Sequence, residues 1–462
     1  MSLAGALGRY MYRIDSERMS PFLTSHAKTL LIDAIACMLG GVSTEIVQIA
    51  DRQAGSSHEQ ALRATSLVDG RKVAVDVAVL ANCAAVRSLD FMDVYSEADV
   101  SHPSEAVPVA IACAEAGGAT GREFLSGLIA AFGMHAWLAR QLSLHDNGLH
   151  HVGHAAWVAP LLAARLLGYG EETAARAVNL SAPAFIAPDG FSRGHLANVK
   201  ALAYGLIASR GVNMTLMARD GLAAQDGACD EVVELLSRIC GRAIDAGALV
   251  PNTGCDDVAD IWLKTYPAQY ALQPLIAAAS AFHRRNARQL SEISQIVVRV
   301  STRTAERTAD PAKFRPRSRE AADHSLPFAV AAGLLDGGLS ASAMITGRWG
   351  DADIIDLAGS VIVEARDGES GFAIGKQEIE LRFKDGSTEL LDCIYPPRES
   401  SWREIAVSKL EQFSGGDPRQ VVEAVDRLET LTSIAPLVDA IVEAGATPKR
   451  PVTALQSAAN RT

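Results

Sequence analysis

The side chains best suited to moving protons crowd into one loop of this sequence. LDFMDVYSEADVSHPSEAVP, residues 89–108, carries Asp90, Asp93, Glu97, Asp99 and His102 within thirteen positions. Glu97 and Asp99 read as solvated, with Ser104 as N-cap of the next helix. Asp90 reads differently, because it ends an apolar helix whose dipole disfavours a carboxylate there. A cation or donor should compensate it, with His102 and Lys200 as the candidates. A second cluster, NGLHHVGHAAW, offers His150, His151 and His154. On a helix His150 and His154 would share a face, the arrangement of metal-ligand histidines. No Glu lies between them as in HExxH, and a hydrogen-bonded core histidine is as good a reading for any one of the three; His154 is assigned to the core. Without a metal, an imidazole titrating near neutrality is a general acid or base.

Lys200, in GHLANVKALAYGLIASRGV, starts a helix otherwise filled with apolar residues. A surface lysine is the ordinary reading, but a buried one there would receive a substrate carboxylate, helped by the positive end of the dipole. LKTYPAQYALQ (263–273) and DPAKFRPRSREAADHSLPF (310–328) gather Lys, Arg, Tyr and His where the chain changes texture, and domain junctions are where clefts form. GYGEET at Gly168 follows a helix rather than a strand and reads as a helix C-cap, not a dinucleotide loop. No P-loop, G-x-S-x-G elbow or EF-hand pattern occurs.

These groups need a scaffold, and two textures supply it. From residue 20 to about 266 long Ala/Leu-rich stretches repeat at three and four, punctuated by Gly. SHAKTLLIDAIACMLGG is expected to start at Ser25 as N-cap, and similar helices are expected over 74–89, 104–117, 121–142, 152–167 and 200–218. Several are apolar around most of their circumference, which places them inside a thick helical layer. After Pro267, ISQIVVRVST, SVIVEA and QEIELRFKDGSTELLDCIY alternate with period two, the last as a hairpin turning at Asp385-Gly386. Helical pattern returns at 402–413. The expected fold is mainly α, a large all-α domain (1–266 and 400–446) with a smaller inserted α+β lid (267–399) and a disordered tail over 447–462.

Composition narrows the function. The chain has 462 residues, 48% apolar and 21% charged, which is a compact rather than a disordered protein. Lys plus Arg total 43 against 54 Asp plus Glu, a net charge of −11 that would repel nucleic acid and anionic lipid. An anionic ligand would then need a local basic cluster. Seven cysteines, none in a C-x-x-C pair, point to neither a disulfide framework nor a zinc or iron–sulfur site. With no secretory signal pattern or membrane-length apolar run, a cytoplasmic, unprocessed protein is expected.

Taken in order, LDFMD with SHPSEAVP, GLHHVGHAA, VKALAYGLIASRGVNMTLMARDG, LKTYPAQY, SREAADHSLPFAVAAGLLDG, and IELRFKDG with IYPPRE resemble the MmgE/PrpD family, which includes 2-methylcitrate dehydratase, cis-aconitate decarboxylase and iminodisuccinate epimerase. The resemblance implies a helical domain with an α+β lid, a homodimer, and no metal or organic cofactor. It also implies a cleft between the domains for a small polycarboxylate. Carried over position by position, it makes Asp90, His102, His150, His151 and Lys200 the catalytic candidates. Asp93, Tyr95, Lys264, Tyr266, His324 and Arg398 become candidates for binding substrate. The implied chemistry is proton abstraction beside a carboxylate, followed by loss of hydroxide, loss of CO2 or reprotonation. The lysines would neutralise the developing aci-carboxylate.

This chain departs from the family pattern in places. Val94 stands where many relatives have Thr, Ala271 where His is common, Phe328 where Tyr is frequent, and PPRESS replaces P-x-G-H. These changes point to a substrate less rich in oxygen, or to a rearranged pocket. The loop between Asp90 and His102 resembles the 2-methylcitrate dehydratase branch more than the decarboxylase branch. The sequence therefore points first to a cofactor-independent hydro-lyase acting on a 2-hydroxy polycarboxylate. A decarboxylase or epimerase on the same fold is the second reading, and a catalytically silent ligand-binding homologue the third.

Overall fold

A computed structural model describes residues 2–45, 47, 62–191, 196–251, 255–285, 290–366, 372, 374–395 and 402–445. The tail over 447–462 and Arg398 lie outside the described residues. The fold is mainly helical with a small α+β part, and its apolar residues divide between two large cores.

The first core begins on the helix Pro21–Gly41. Its N-cap is Ser20 rather than Ser25, because Pro21 suits the first helical position and Ser20 Oγ accepts the Leu23 N–H at 3.2 Å. The helix is long and apolar enough to cross a membrane, yet most of it is buried in protein. It packs on Val75–Arg87 and on Trp402–Phe413, so the returning C-terminal helices share the core of the N-terminal ones. At the Val75–Arg87 crossing only a glycine fits, since a Cβ on Gly41 would collide with the Ala85 carbonyl. The helices Val107–Gly117, Gly121–Gln141, Ala155–Leu166 and Ala203–Arg219 complete the layer around the polar loop.

The second core lies under a four-stranded sheet in the order Val361–Arg366, Ile293–Ser301, Glu378–Phe383, Thr388–Asp392. The first pair is parallel and the others antiparallel. Alternation decides the faces. Ile296, Val298 and Val300 join Ile379, Leu381 and Phe383 in the core, against the helices Gln273–Arg285 and Leu326–Asp336. The other face carries ion pairs from Arg299 to Glu364 and Glu380, each at 2.7 Å. In the hairpin, Gly386 supplies the φ of +84° that the Asp-Gly turn called for.

A small apolar cluster of Val94, Val100, Tyr270, Ala271 and Phe372 joins the two cores. The backbone adds a bridge, Val94 N–H to Trp262 O at 2.8 Å and Trp262 N–H to Val94 O at 2.9 Å.

The polar loop is also tied from behind. Lys409, buried on Trp402–Phe413, donates to Asp33 Oδ1 at 2.5 Å and to the Phe91 carbonyl at 2.8 Å, and lies 4.2 Å from the Phe91 ring centroid. Burial pushes the Asp33 carboxyl up against the pull of Lys409, so the pair stabilises only while intact. Lys409→Met should therefore cost roughly 3–5 kcal/mol of stability in urea denaturation, and adding Asp33→Asn should recover part of it. A loss under about 1 kcal/mol for the single variant would show that the buried pair is not a brace.

Candidate active site

Asp90 follows the end of Val75–Arg87 and turns back with φ +47°, a left-handed conformation that Asp tolerates better than most residues. Its amide donates to the Arg87 carbonyl at 3.1 Å. The carboxylate then meets positive charge from three parts of the chain. Lys200 Nζ is 2.8 Å from Oδ2, Lys264 Nζ bonds Oδ1 and donates to the Asp90 carbonyl at 2.9 Å, and Arg87 Nη1 lies 3.9 Å from Oδ1. Burial alone would raise this carboxyl; Lys200, Lys264 and Arg87 overturn that and hold it well below the usual carboxylate range. Of the two compensating groups the sequence suggested, Lys200 is in place. His102 is not, and Lys264 is the second partner.

Lys200 belongs to a 3-10 turn, Asn198–Leu202, ahead of the Ala203–Arg219 helix. It reaches Asp323 Oδ1 at 3.0 Å as well as Asp90, so the carboxylates it holds are the protein's own. Asp323 lies beyond the sheet strand Ile293–Ser301, and its link through Lys200 to Asp90 crosses from one core to the other.

Four histidines face a narrow cavity beside this cluster, His102, His145, His150 and His151, with His324 from the second core. Hydrogen bonds assign the tautomers of His102, His150 and His324. A carbonyl only accepts, so His102 Nδ1, 2.6 Å from the Asp93 carbonyl, carries the proton and leaves Nε2 as a lone pair. His150 Nδ1 accepts the Val152 N–H at 3.2 Å, so its Nε2 carries the proton. His324 Nδ1 donates to Asp323 at 2.5 Å and again leaves a bare Nε2. Burial, reinforced by neighbouring cations or histidines, holds His102, His150 and His151 well below the ordinary imidazole range. Burial and Lys200 bring His324 down to about 4. These rings are therefore neutral near pH 7.

The remaining candidates divide. Asp93 does not face the cavity: its carboxylate accepts the Ser104 N–H and hydroxyl, fixing the Pro103–Ala106 turn after His102, and burial raises it to about 7. Ser104 thus bonds Asp93 instead of capping the next helix. Tyr95 is buried away from the cavity, near Asp257 and Arg140. Tyr266 lines a separate open groove with Phe91, Asp336 and Arg348. His150 and His154 do not share a helical face, because His150 precedes the short turn His151–His154. His154 packs against His135 and Phe185 in the first core.

Sequence reasoning missed several groups. Asp99 is buried, not solvated; it accepts from His145 Nδ1 at 2.5 Å and from the Leu144 and His145 amides. Arg87, Gln269, Tyr270, Arg307 and Phe372 also line the cavity. Arg87, a charge in the last turn of a mostly apolar helix, left a usable sign, and Gln269 and Tyr270 fall in the 263–273 segment already singled out.

Two groups of donors are close enough to raise the question of a metal ion: His145, His150 and His151, and Asp90, Asp323 and His324. In the first, the His150 Nδ1 lone pair is spent on Val152, so its Nε2 holds a proton where a metal would need a lone pair. In the second, the Lys200 ammonium already sits among the carboxylates. Both donor sets suit proton transfer and anion binding better than a cation.

Asn tolerates the same backbone conformation as Asp, so Asp90→Asn isolates the charge. Because the folded carboxyl is held low, its stabilisation is complete above its unfolded pKa of about 3.9 and is lost as pH falls further. We expect the variant to melt well below the parent at neutral pH and the two midpoints to converge in acid. A constant difference across pH would remove Asp90 as the electrostatic anchor.

The sequence comparisons agree with this arrangement. Residues 5–240 match the MmgE/PrpD N-terminal domain and residues 266–406 match the MmgE/PrpD C-terminal domain. Together the two matches take in Asp90, His102, the histidine cluster and Lys200 in the first domain, and His324 in the second, so the chain belongs to the MmgE/PrpD family.

Proposed function

We propose that the protein is a hydro-lyase that removes water from a 2-hydroxy polycarboxylate of the 2-methylcitrate type, using its own side chains as acid and base. The observation that carries this reading is the pair of opposed neutral histidines in one cavity, His102 with a bare Nε2 and His150 with an Nε2–H. His102 takes the proton from the carbon beside a carboxylate, and the electron pair spreads into that carboxylate as the aci form. Lys264, Arg87 and Arg307 on the cavity wall offset the charge that builds there. The His150 N–H fixes a substrate oxygen.

Three features support the substrate class. The lining cations suit an anion with more than one carboxylate, despite the chain's net charge of −11. Val100, Tyr270 and Phe372 give the same cavity an apolar side, fitting a methyl branch. Val94 and Ala271, two positions where family polar groups are replaced, fall in that same apolar cluster. The cavity is about 40 Å³, room for a few waters only. A polycarboxylate then enters when the two cores part and reacts when they close, with water excluded.

His102→Ala should keep the fold and lower dehydration of 2-methylcitrate by roughly 100-fold or more, measured as alkene formation. Turnover equal to the parent would remove His102 from the mechanism. His154→Ala should instead lower the melting temperature with little change in turnover per folded molecule, since His154 is buried away from the cavity.

A further inference from the structure

Behind the cavity wall, several of the buried polar atoms that lack hydrogen-bond partners among the described residues stand together: Arg87 Nη1, both carboxylate oxygens of Glu105 and both ring nitrogens of His151. They approach one another at ion-pair range. His151 Nε2 is 3.5 Å from Glu105 Oε2, and Arg87 Nε is 3.6 Å from Glu105 Oε1. A buried polar atom left without a partner is costly, so a cluster of them against an active site calls for a role. Glu105 does not itself line the cavity, whereas His151 does, and with Nε2 near Glu105 its Nδ1 has no hydrogen-bond partner of its own.

Resting on the dehydratase reading, we propose that Glu105 stores the proton that His151 delivers to the departing hydroxyl. His151 Nδ1–H gives its proton to that oxygen as the C–O bond breaks and water forms, and Glu105 passes its own proton to Nε2. The electron pair freed when His102 takes the C–H proton becomes the C=C bond. The His151 ring ends neutral with its proton moved from one nitrogen to the other, and Glu105 ends as a carboxylate facing Arg87. His102 then releases its proton to solvent, the Nε2 proton of His151 returns to Glu105, and Nδ1 takes one from solvent, which restores the starting state. Glu105 is thus a positioning residue, acting through His151.

The surroundings suit a proton store. Burial holds Glu105 up to about 7, Asp93 and Asp90 push the same way, and Arg87 and Lys264 oppose them. Tyr204 and Cys83 face it from neighbouring helices, and burial keeps both protonated and uncharged.

The test uses Glu105→Gln, which keeps the shape but cannot store the proton, and Glu105→Asp, which can. Because the protonated form is required, parent turnover should fall as pH rises through about 7. Glu105→Gln should lose roughly 100-fold in kcat together with that alkaline limb, and Glu105→Asp should retain a shifted limb and part of the rate. A substrate-free measurement accompanies it. Infrared difference spectra of the full-length protein across the same pH range should show a protonated carboxyl band in the parent that is missing in Glu105→Gln. Subtracting the variant separates Glu105 from Asp93, which burial also raises to about 7. Parent rate and alkaline limb in Glu105→Gln, or no band assigned to Glu105, would overturn the relay. A band assigned to Glu105 with no turnover of any polycarboxylate would instead overturn the dehydratase reading alone.

Discussion

A carboxylate cut off from water survives as an ion only beside positive charge, and Asp90 obtains that charge from Lys200 and Lys264 at once. Those lysines lie 110 and 174 residues further along the chain. Satisfying one side chain therefore sets the path of three segments, and through Asp323 it brings the second core against the first. The positive φ at Asp90 fits this constraint, because the turn aims the carboxylate back between the ammonium groups.

The same charges decide what the histidines can do. In a buried cavity with Lys264 and the guanidinium of Arg87 nearby, a second positive charge on His102 is disfavoured, and burial has already made the ring neutral. A neutral imidazole is a base whichever nitrogen is bare, and the backbone chooses that nitrogen. The Asp93 carbonyl fixes His102, while the Val152 amide fixes His150 in the opposite sense. Asp93 then fastens the turn that carries His102, and Lys409 fastens Phe91 two residues before Asp93. Close packing preserves this geometry. A Cβ on Gly153 would strike the Phe185 carbonyl, so the histidine turn approaches its neighbour only because that position is glycine.

Much of this was legible in the sequence where periodicity or residue type carries it. Helices filled on all sides announced a thick helical layer, and alternation after Pro267 announced the sheet. Asp90, His102, His150 and Lys200 stood out as polar groups beside apolar helices. Long-range pairing left no such trace. Asp99 looked like any loop acid, and its bond to His145 depends on where residues 46 positions apart meet. Glu105 sits in a run that reads as a helix start, and its burial follows from the packing of Arg87 and His151 around it. The family resemblance brought Tyr95 and Tyr266 forward for the substrate, yet Tyr95 is buried near Asp257 and Arg140 and Tyr266 lines the other groove.

The central claim is that side chains in this cavity carry proton chemistry on a polycarboxylate. Proton NMR in heavy water tests it most directly, with the EDTA-treated protein given 2-methylcitrate, citrate, cis-aconitate and iminodisuccinate in separate samples. The account predicts loss of water from 2-methylcitrate, seen as a new vinylic methyl or vinylic proton signal, with deuterium uptake beside a carboxylate, faster than for citrate. Neither exchange nor product with any of the four would contradict it.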